Sequence, residues 1–176
     1  MREYNSLRVG LVTPGTRPDL EEVEGRILAE RGSVSLLYQV LLNSEAIASG
    51  WERMLTAVRN RTGVPPPIRE LIILRVAVLN GAPFEFEAHK PIALREGVSE
   101  EKIAAVRQGM LADVFNPEER LILQLTDAMT RDVVVGDALM THLKQQYGDE
   151  RLVELVATVA AYNMVSRFLV ALNISH

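Results

Sequence analysis

Three ionisable side chains near the middle of the chain, Glu70, Glu85 and His89, have the types and spacing that proton transfer needs. Glu70 lies in "RELIILRVAVL", where the charged residues Arg69, Glu70 and Arg75 point, at about 100° per residue, to three different sides and define no solvated face. A carboxylate in so apolar a helix must find a cation or hydrogen bonds, or else keep its proton. Glu70 is therefore either half of an internal ion pair that fixes packing or an acid/base group tuned by burial. In "FEFEAHK", Glu85 and His89 stand four positions apart on one helical face, which lets a carboxylate orient an imidazole or raise its basicity. The plain alternative is a half-exposed pair of little energetic weight. Pro91 removes the bond that would run to the carbonyl of Glu87 and loosens the helix beside the imidazole. A metal fits less well: bundle di-iron sites use Glu-x-x-His twice, and this chain has Glu-x-x-x-His once, so neither metal nor other cofactor is expected.

The elements that must hold these groups read as helices. Residues 1–18, with "VTPGTRP", form a turn-rich arm without apolar periodicity that is expected to wrap over the surface or dock on a neighbour. The helical pattern then runs over 19–176 as one domain, and the fold class it implies is all-α, a compact helical bundle. Asp19 with Glu22 reads as a capping box and Gly32 as the stop of the first helix. The next long helix carries Ile47, Trp51, Met54, Leu55 and Val58 on one stripe, with Trp51 and Tyr38 as core or rim. Three prolines open the helix of Glu70, Pro83 opens that of His89, and Gly97 closes it. Ser99 reads as an N-cap, and Asn116, Pro117 and Glu119 make a second capping box. The chain ends in two apolar helices split at Gly148. Only "DVVVG" resembles a strand, and one short strand forms no sheet.

Bulk composition narrows the function classes. At 176 residues, 48% hydrophobic and 24% charged, the chain has the size of one globular domain. A net charge of −4 and the absence of a basic run argue against nucleic acid. No stretch reads as a signal or an uninterrupted membrane span, so a cytoplasmic protein with no membrane partner is expected. With no cysteine there is no thiolate ligand and no thiol nucleophile. Several helices apolar on more than one face point to a homo-oligomer.

Residues 69 to 106, "RELIILRVAVLNGAPFEFEAHKPIALREGVSEEKIAAV", resemble the core of the carboxymuconolactone decarboxylase family, which includes the alkylhydroperoxidase-D-like proteins. The flanks "LLYQVLLNSEAIASGW" and "VELVATVAAYNMVSRFL" resemble its cysteine-free branch, so the likeness runs from about Glu24 to Leu172, with the family core at about 40–125. The resemblance implies an alkylhydroperoxidase-D-like helical fold and assembly as dimer, trimer or hexamer. In the peroxidase branch a glutamate precedes a Cys-x-x-Cys pair and a histidine. By spacing the glutamate falls on Glu70, the histidine on His89 and the cysteines on Ala82 and Glu85. Peroxide reduction by that route needs an attacking and a resolving thiol, and both are gone.

What the resemblance leaves is a proton relay without its nucleophile. The decarboxylase branch loses CO₂ from a carboxylated lactone and reprotonates the product, which needs an acid/base and a group that steadies an enolate-like intermediate. Glu70, Glu85 and His89 are the catalytic candidates for it. Arg75 and Arg167 are candidate contacts for an anionic substrate, with Tyr162 and Asn163 as hydrogen-bonding groups; the alternative for these four is a buried polar network that ties down the last helix. The reading is a cofactor-free enzyme acting on a lactone or keto acid of aromatic or organic-acid catabolism. Its rival is a catalytically idle scaffold or small-molecule binder. A pocket holding the three candidates would favour the enzyme, and their direct mutual burial the scaffold.

Overall fold

The computed structural model describes residues 7–108 and 113–175. All regular structure among them is helical: a single 3₁₀ turn at Pro18–Leu20, then α1 (Glu21–Arg31), α2 (Leu36–Leu41), α3 (Glu45–Asn60), α4 (Pro66–Leu79), α5 (Pro83–Arg95), α6 (Glu100–Ala105), α7 (Pro117–Asp127), a π-helical turn at Ala128–Asp132, and α8 (Asp137–Leu172). No strand forms among the described residues; in "DVVVG" Asp132 ends the π turn and the rest is loop, with Val133 and Val134 well exposed. The Cα positions group into two compact units, Met1–Arg61 with Ala171–His176, and Thr62–Val170.

In the first unit α1 packs on α3 with α2 alongside. The arm docks on this same unit: the Arg8 N–H donates to the Leu172 carbonyl at 3.1 Å, and the Gly15 N–H to Glu24 Oε2 at 2.8 Å. Gly32 ends α1 at φ 74°, a left-handed conformation that suits glycine. The first capping box does not form. The chain enters through the 3₁₀ turn, Asp19 pairs with Arg17, and α1 begins only at Glu21. The α3 stripe is also rotated from the sequence pattern: Ala48, Trp51, Leu55 and Val58 are buried, while Ile47 and Met54, on the edge of the apolar arc, are exposed.

The second unit contains every candidate site residue. Pro66 stands in the first turn of α4, where a missing N–H costs nothing. From Ile68 to Ala77 every residue of that helix is buried, which accounts for its lack of a polar face. α4 packs chiefly against α5 and α7. The resulting core joins Leu71, Leu74 and Ala77 of α4 to Phe86 and Ala93 of α5, Ile103 of α6 and Leu123 of α7. Gly81, at φ 63°, makes the turn from α4 into α5.

The expected caps hold the later helices. Ser99 Oγ accepts the Lys102 N–H at 3.2 Å, and both halves of the Asn116–Glu119 box close at 2.9 Å. Helix α7 does not run on as one α-helix through Arg131; it widens into the π turn that seats Thr130 against α8. Gly148, at φ 73° and ψ 177°, breaks α8 where the sequence splits it. By length and composition α8 could cross a membrane, but half of its most apolar window is buried within the fold, as in a core helix.

Candidate active site

Glu70 is wholly inaccessible to solvent and both of its carboxylate oxygens are engaged. Oε1 accepts from Arg69 Nε at 3.2 Å, and Oε2 lies 2.8 Å from His89 Nδ1. An ionised carboxylate only accepts hydrogen bonds, so this contact places the proton on Nδ1 and fixes the imidazole tautomer. Tyr162 of α8 meets the His89 ring edge-on, with centroids 5.4 Å apart and planes at 89°. Three helices, α4, α5 and α8, thus converge on one imidazole that is 8% exposed.

Glu85 departs from its expected role. It shares the His89 face of α5, yet the carboxylate bound to the imidazole is Glu70, from the preceding helix. The Glu85 side chain is 2% exposed, and neither of its oxygens has a hydrogen-bond partner among the described residues. Burial alone pushes its carboxyl up to about 9, so it is neutral at physiological pH. The two acidic groups of the cluster therefore differ in kind: one is bonded to two cationic or N–H donors, the other is dry and keeps its proton.

The proposed substrate contacts divide. Arg75 is committed to structure: Nε and one terminal nitrogen grip Asp127 at 2.6 and 2.7 Å, and the other donates to the carbonyls of Val106 and Arg107 at 2.9 and 3.1 Å. Asn163 sits in a buried polar network. Its amide donates to Thr130 Oγ1 at 2.9 Å, and its oxygen accepts from Asn80 Nδ2 at 3.0 Å and from Arg167. Asn80 also donates to Ser166 Oγ at 2.6 Å, so this network ties the end of α4 and the π turn to α8. Of the four, Tyr162 meets the Glu70–His89 pair, at the imidazole ring.

Sequence reasoning did not assign Arg69, Asp127, Asn80 or Thr130. Arg69 carried a weak signal as the cation next to a buried glutamate, although adjacent helical residues do not ordinarily face each other. The other three bond to partners 33 to 86 positions away, and no local pattern announces such contacts. Among the described residues no three His, Asp or Glu side chains converge as metal ligands. A cleft of about 160 Å³ opens at the α4–α5 turn, lined by Ala77, Gly81, Ala82, Pro83, Phe86 and Arg107 among others. The Arg107 guanidinium lies 4.6 Å over the Phe86 ring at its side.

Comparison with known proteins gives this site its context. The chain is 30% identical to the uncharacterized protein YdfG of Bacillus subtilis over 107 residues, 60% of this chain and 73% of that one. It is 31% identical to the uncharacterized protein YnjA of Escherichia coli over 118 residues, 66% of this chain and 64% of that one. Among solved structures, a peroxidase-related protein of Ralstonia eutropha with an alkylhydroperoxidase AhpD core superposes with a TM-score of 0.82 at 16% identity, over 97% of this chain and 93% of that one. The debrominase Bmp8, in complex with 2,3,4-tribromopyrrole, superposes with a TM-score of 0.78 at 19% identity, over 96% and 90%. At such identities the two structures speak for the fold alone. The family model for carboxymuconolactone decarboxylases matches residues 45–128, a span that includes Glu70, Glu85 and His89, and the chain belongs to the carboxymuconolactone decarboxylase family.

Proposed function

We propose that the chain is a cofactor-free acid/base enzyme of the decarboxylase type, acting on a small anionic lactone or keto acid. The observation that carries the reading is the 2.8 Å contact between His89 Nδ1 and Glu70 Oε2, with Glu70 wholly buried and the imidazole 8% exposed. A carboxylate behind an imidazole fixes its tautomer and steadies the imidazolium formed when it takes a proton. His89 is then the proton carrier, Glu70 its orienting base, Arg69 the cation that holds Glu70, and Tyr162 a wall of the site. A thiol route of peroxide reduction is closed, since the chain has no cysteine.

The test is turnover of a panel of carboxylated lactones and keto acids, followed as CO₂ release. Activity abolished in His89→Asn and reduced at least a hundredfold in Glu70→Gln supports the proposal. Activity indifferent to both substitutions sinks it.

One observation favours a second reading. Glu70, Glu85 and His89 are 0, 2 and 8% exposed, the mutual burial expected of an idle scaffold that retains the pair for packing. Crystals soaked with the same panel separate the two: ligand density beside His89 supports the enzyme, and an unchanged closed cluster in every soak supports the scaffold.

A further inference from the structure

The cleft at the α4–α5 turn presents two opposite charges on otherwise uncharged walls. Ala77 and Val78 of α4, Ala82 of the turn and Phe86 of α5 line it, and three of these four are buried. Among the described residues that line it, Glu87 and Arg107 alone are charged. Both are exposed, no ion pair joins them, and neither side chain has a hydrogen-bond partner among the described residues. Arg107 is nonetheless held in place. Its guanidinium lies 4.6 Å over the Phe86 ring, which covers one face and leaves the N–H edge open to a carboxylate. The groove beside it, between α5 and α6, repeats the balance. It has a volume of about 280 Å³, shares Phe86, Glu87 and Arg107 with the cleft, and adds Lys90 and Glu100, one more cation and one more anion without a partner among the described residues. A net anion there meets as many repelling as attracting groups, and so does a net cation. A molecule that carries both charges meets a partner for each.

We propose that the cleft binds a small zwitterion with the chemistry of an apolar α-amino acid, its carboxylate on Arg107, its ammonium on Glu87 and its side chain against Ala77, Ala82 and Phe86. A planar guanidinium takes the two oxygens of a carboxylate side by side, and an ammonium offers three N–H donors to the carboxylate of Glu87. The cleft volume of about 160 Å³ lies below the ~300 Å³ at which drug-sized ligands are held, so the apolar part is limited to a few carbon atoms. A ligand body lying on apolar walls also shields both ion pairs from water, which makes them stronger than the same pairs on an open surface. This binding site goes beyond the acid/base reading above and does not rest on it.

The probes are L-leucine, N-acetyl-L-leucine, which keeps only the negative charge, and L-leucinamide, which keeps only the positive one. Calorimetric titration of the full chain should show that L-leucine binds and that each blocked analogue binds at least tenfold more weakly. Arg107→Met keeps the side-chain stem over Phe86 and removes the charge; it should weaken L-leucine at least tenfold and leave L-leucinamide unchanged. Glu87→Gln should weaken L-leucine to a similar degree and spare N-acetyl-L-leucine. Both side chains are exposed, so urea unfolding of the two variants should match wild type. L-Leucine that fails to bind at about 10 mM overturns the proposal. So does N-acetyl-L-leucine that binds wild type as tightly as L-leucine, or L-leucine binding indifferent to either substitution. Loss of binding in Arg107→Met alone would make the cleft an anion site and equally overturns it.

Discussion

His89 and Glu70 are 19 positions apart in sequence and 2.8 Å apart in space, and neither is accessible enough for water to take the other's place. The pair also holds Arg69, whose Nε reaches the second oxygen of Glu70. Removing one member of a buried charged set leaves the others uncompensated. Glu70→Gln is expected to destabilise the chain by about 3 kcal/mol, within the range measured when one partner of a buried pair is deleted. Urea unfolding of Glu70→Gln, His89→Asn and the double variant should show a coupling of about 1 kcal/mol or more, the size found for residues in direct contact. Simple additivity would mean that the contact carries no energy.

Arg75 should act on stability and not on substrate binding. Its guanidinium is spent on Asp127 and on two carbonyls near the end of α6, so Arg75→Met leaves a carboxylate and two acceptors unpaired. A loss of about 2 to 4 kcal/mol is expected, with KM unchanged for whatever substrate the chain turns over. A raised KM in a variant of wild-type stability would return Arg75 to the substrate.

No thiol-dependent hydroperoxidase activity is expected. The chain has no cysteine, and the positions onto which the family resemblance carries the attacking and resolving thiols are Ala82, beside the cleft, and the buried Glu85. Reduction of an alkyl hydroperoxide coupled to a dithiol reductant would overturn this.

The exposed face of α8 predicts self-association. Val153, Ala160 and Met164 lie exposed along one side of the helix within Thr62–Val170, Val153 at 66% and Met164 at 41%. An apolar stripe on a long helix is a surface that a second copy can cover. Light scattering at micromolar concentration should give a particle of more than one chain, and Met164→Glu should lower its mass. A monomer under those conditions contradicts the prediction.

The helices were legible because their signals are local. Pro66, Pro83, Ser99, Asn116 with Glu119, and the glycines at 32 and 148 each act within a turn of where they stand, and each does so in the structure. Glu70 and His89 were legible because a charged group in an apolar helix demands a partner. Their pairing was not, since the i to i+4 relation between Glu85 and His89 was the stronger local cue, and tertiary packing overrode it by bringing α4 against α5. The same limit hid Asp127 from Arg75 and Thr130 from Asn163, whose bonds exist only once distant helices have docked. At Asp19 two local signals competed, and the pairing with Arg17 displaced the capping box.

Glu85 makes the stability of the chain depend on pH, through a carboxyl that burial keeps protonated. Its carboxyl moves from an ordinary 4.5 to about 9 in the folded chain, through burial. Between those values the unfolded chain has released the proton and the folded chain retains it, so folding takes up a proton. The contribution is fully present below about pH 4.5 and fades as pH rises through about 9. Comparison with Glu85→Leu isolates the one group. The substituted chain should gain stability over wild type progressively between about pH 5 and pH 8, with a slope approaching but not exceeding about 1.4 kcal/mol per pH unit. Urea unfolding of both proteins across that range reads the slope directly. A difference that stays flat with pH would show that Glu85 is ionised in the folded chain, with a donor beside it.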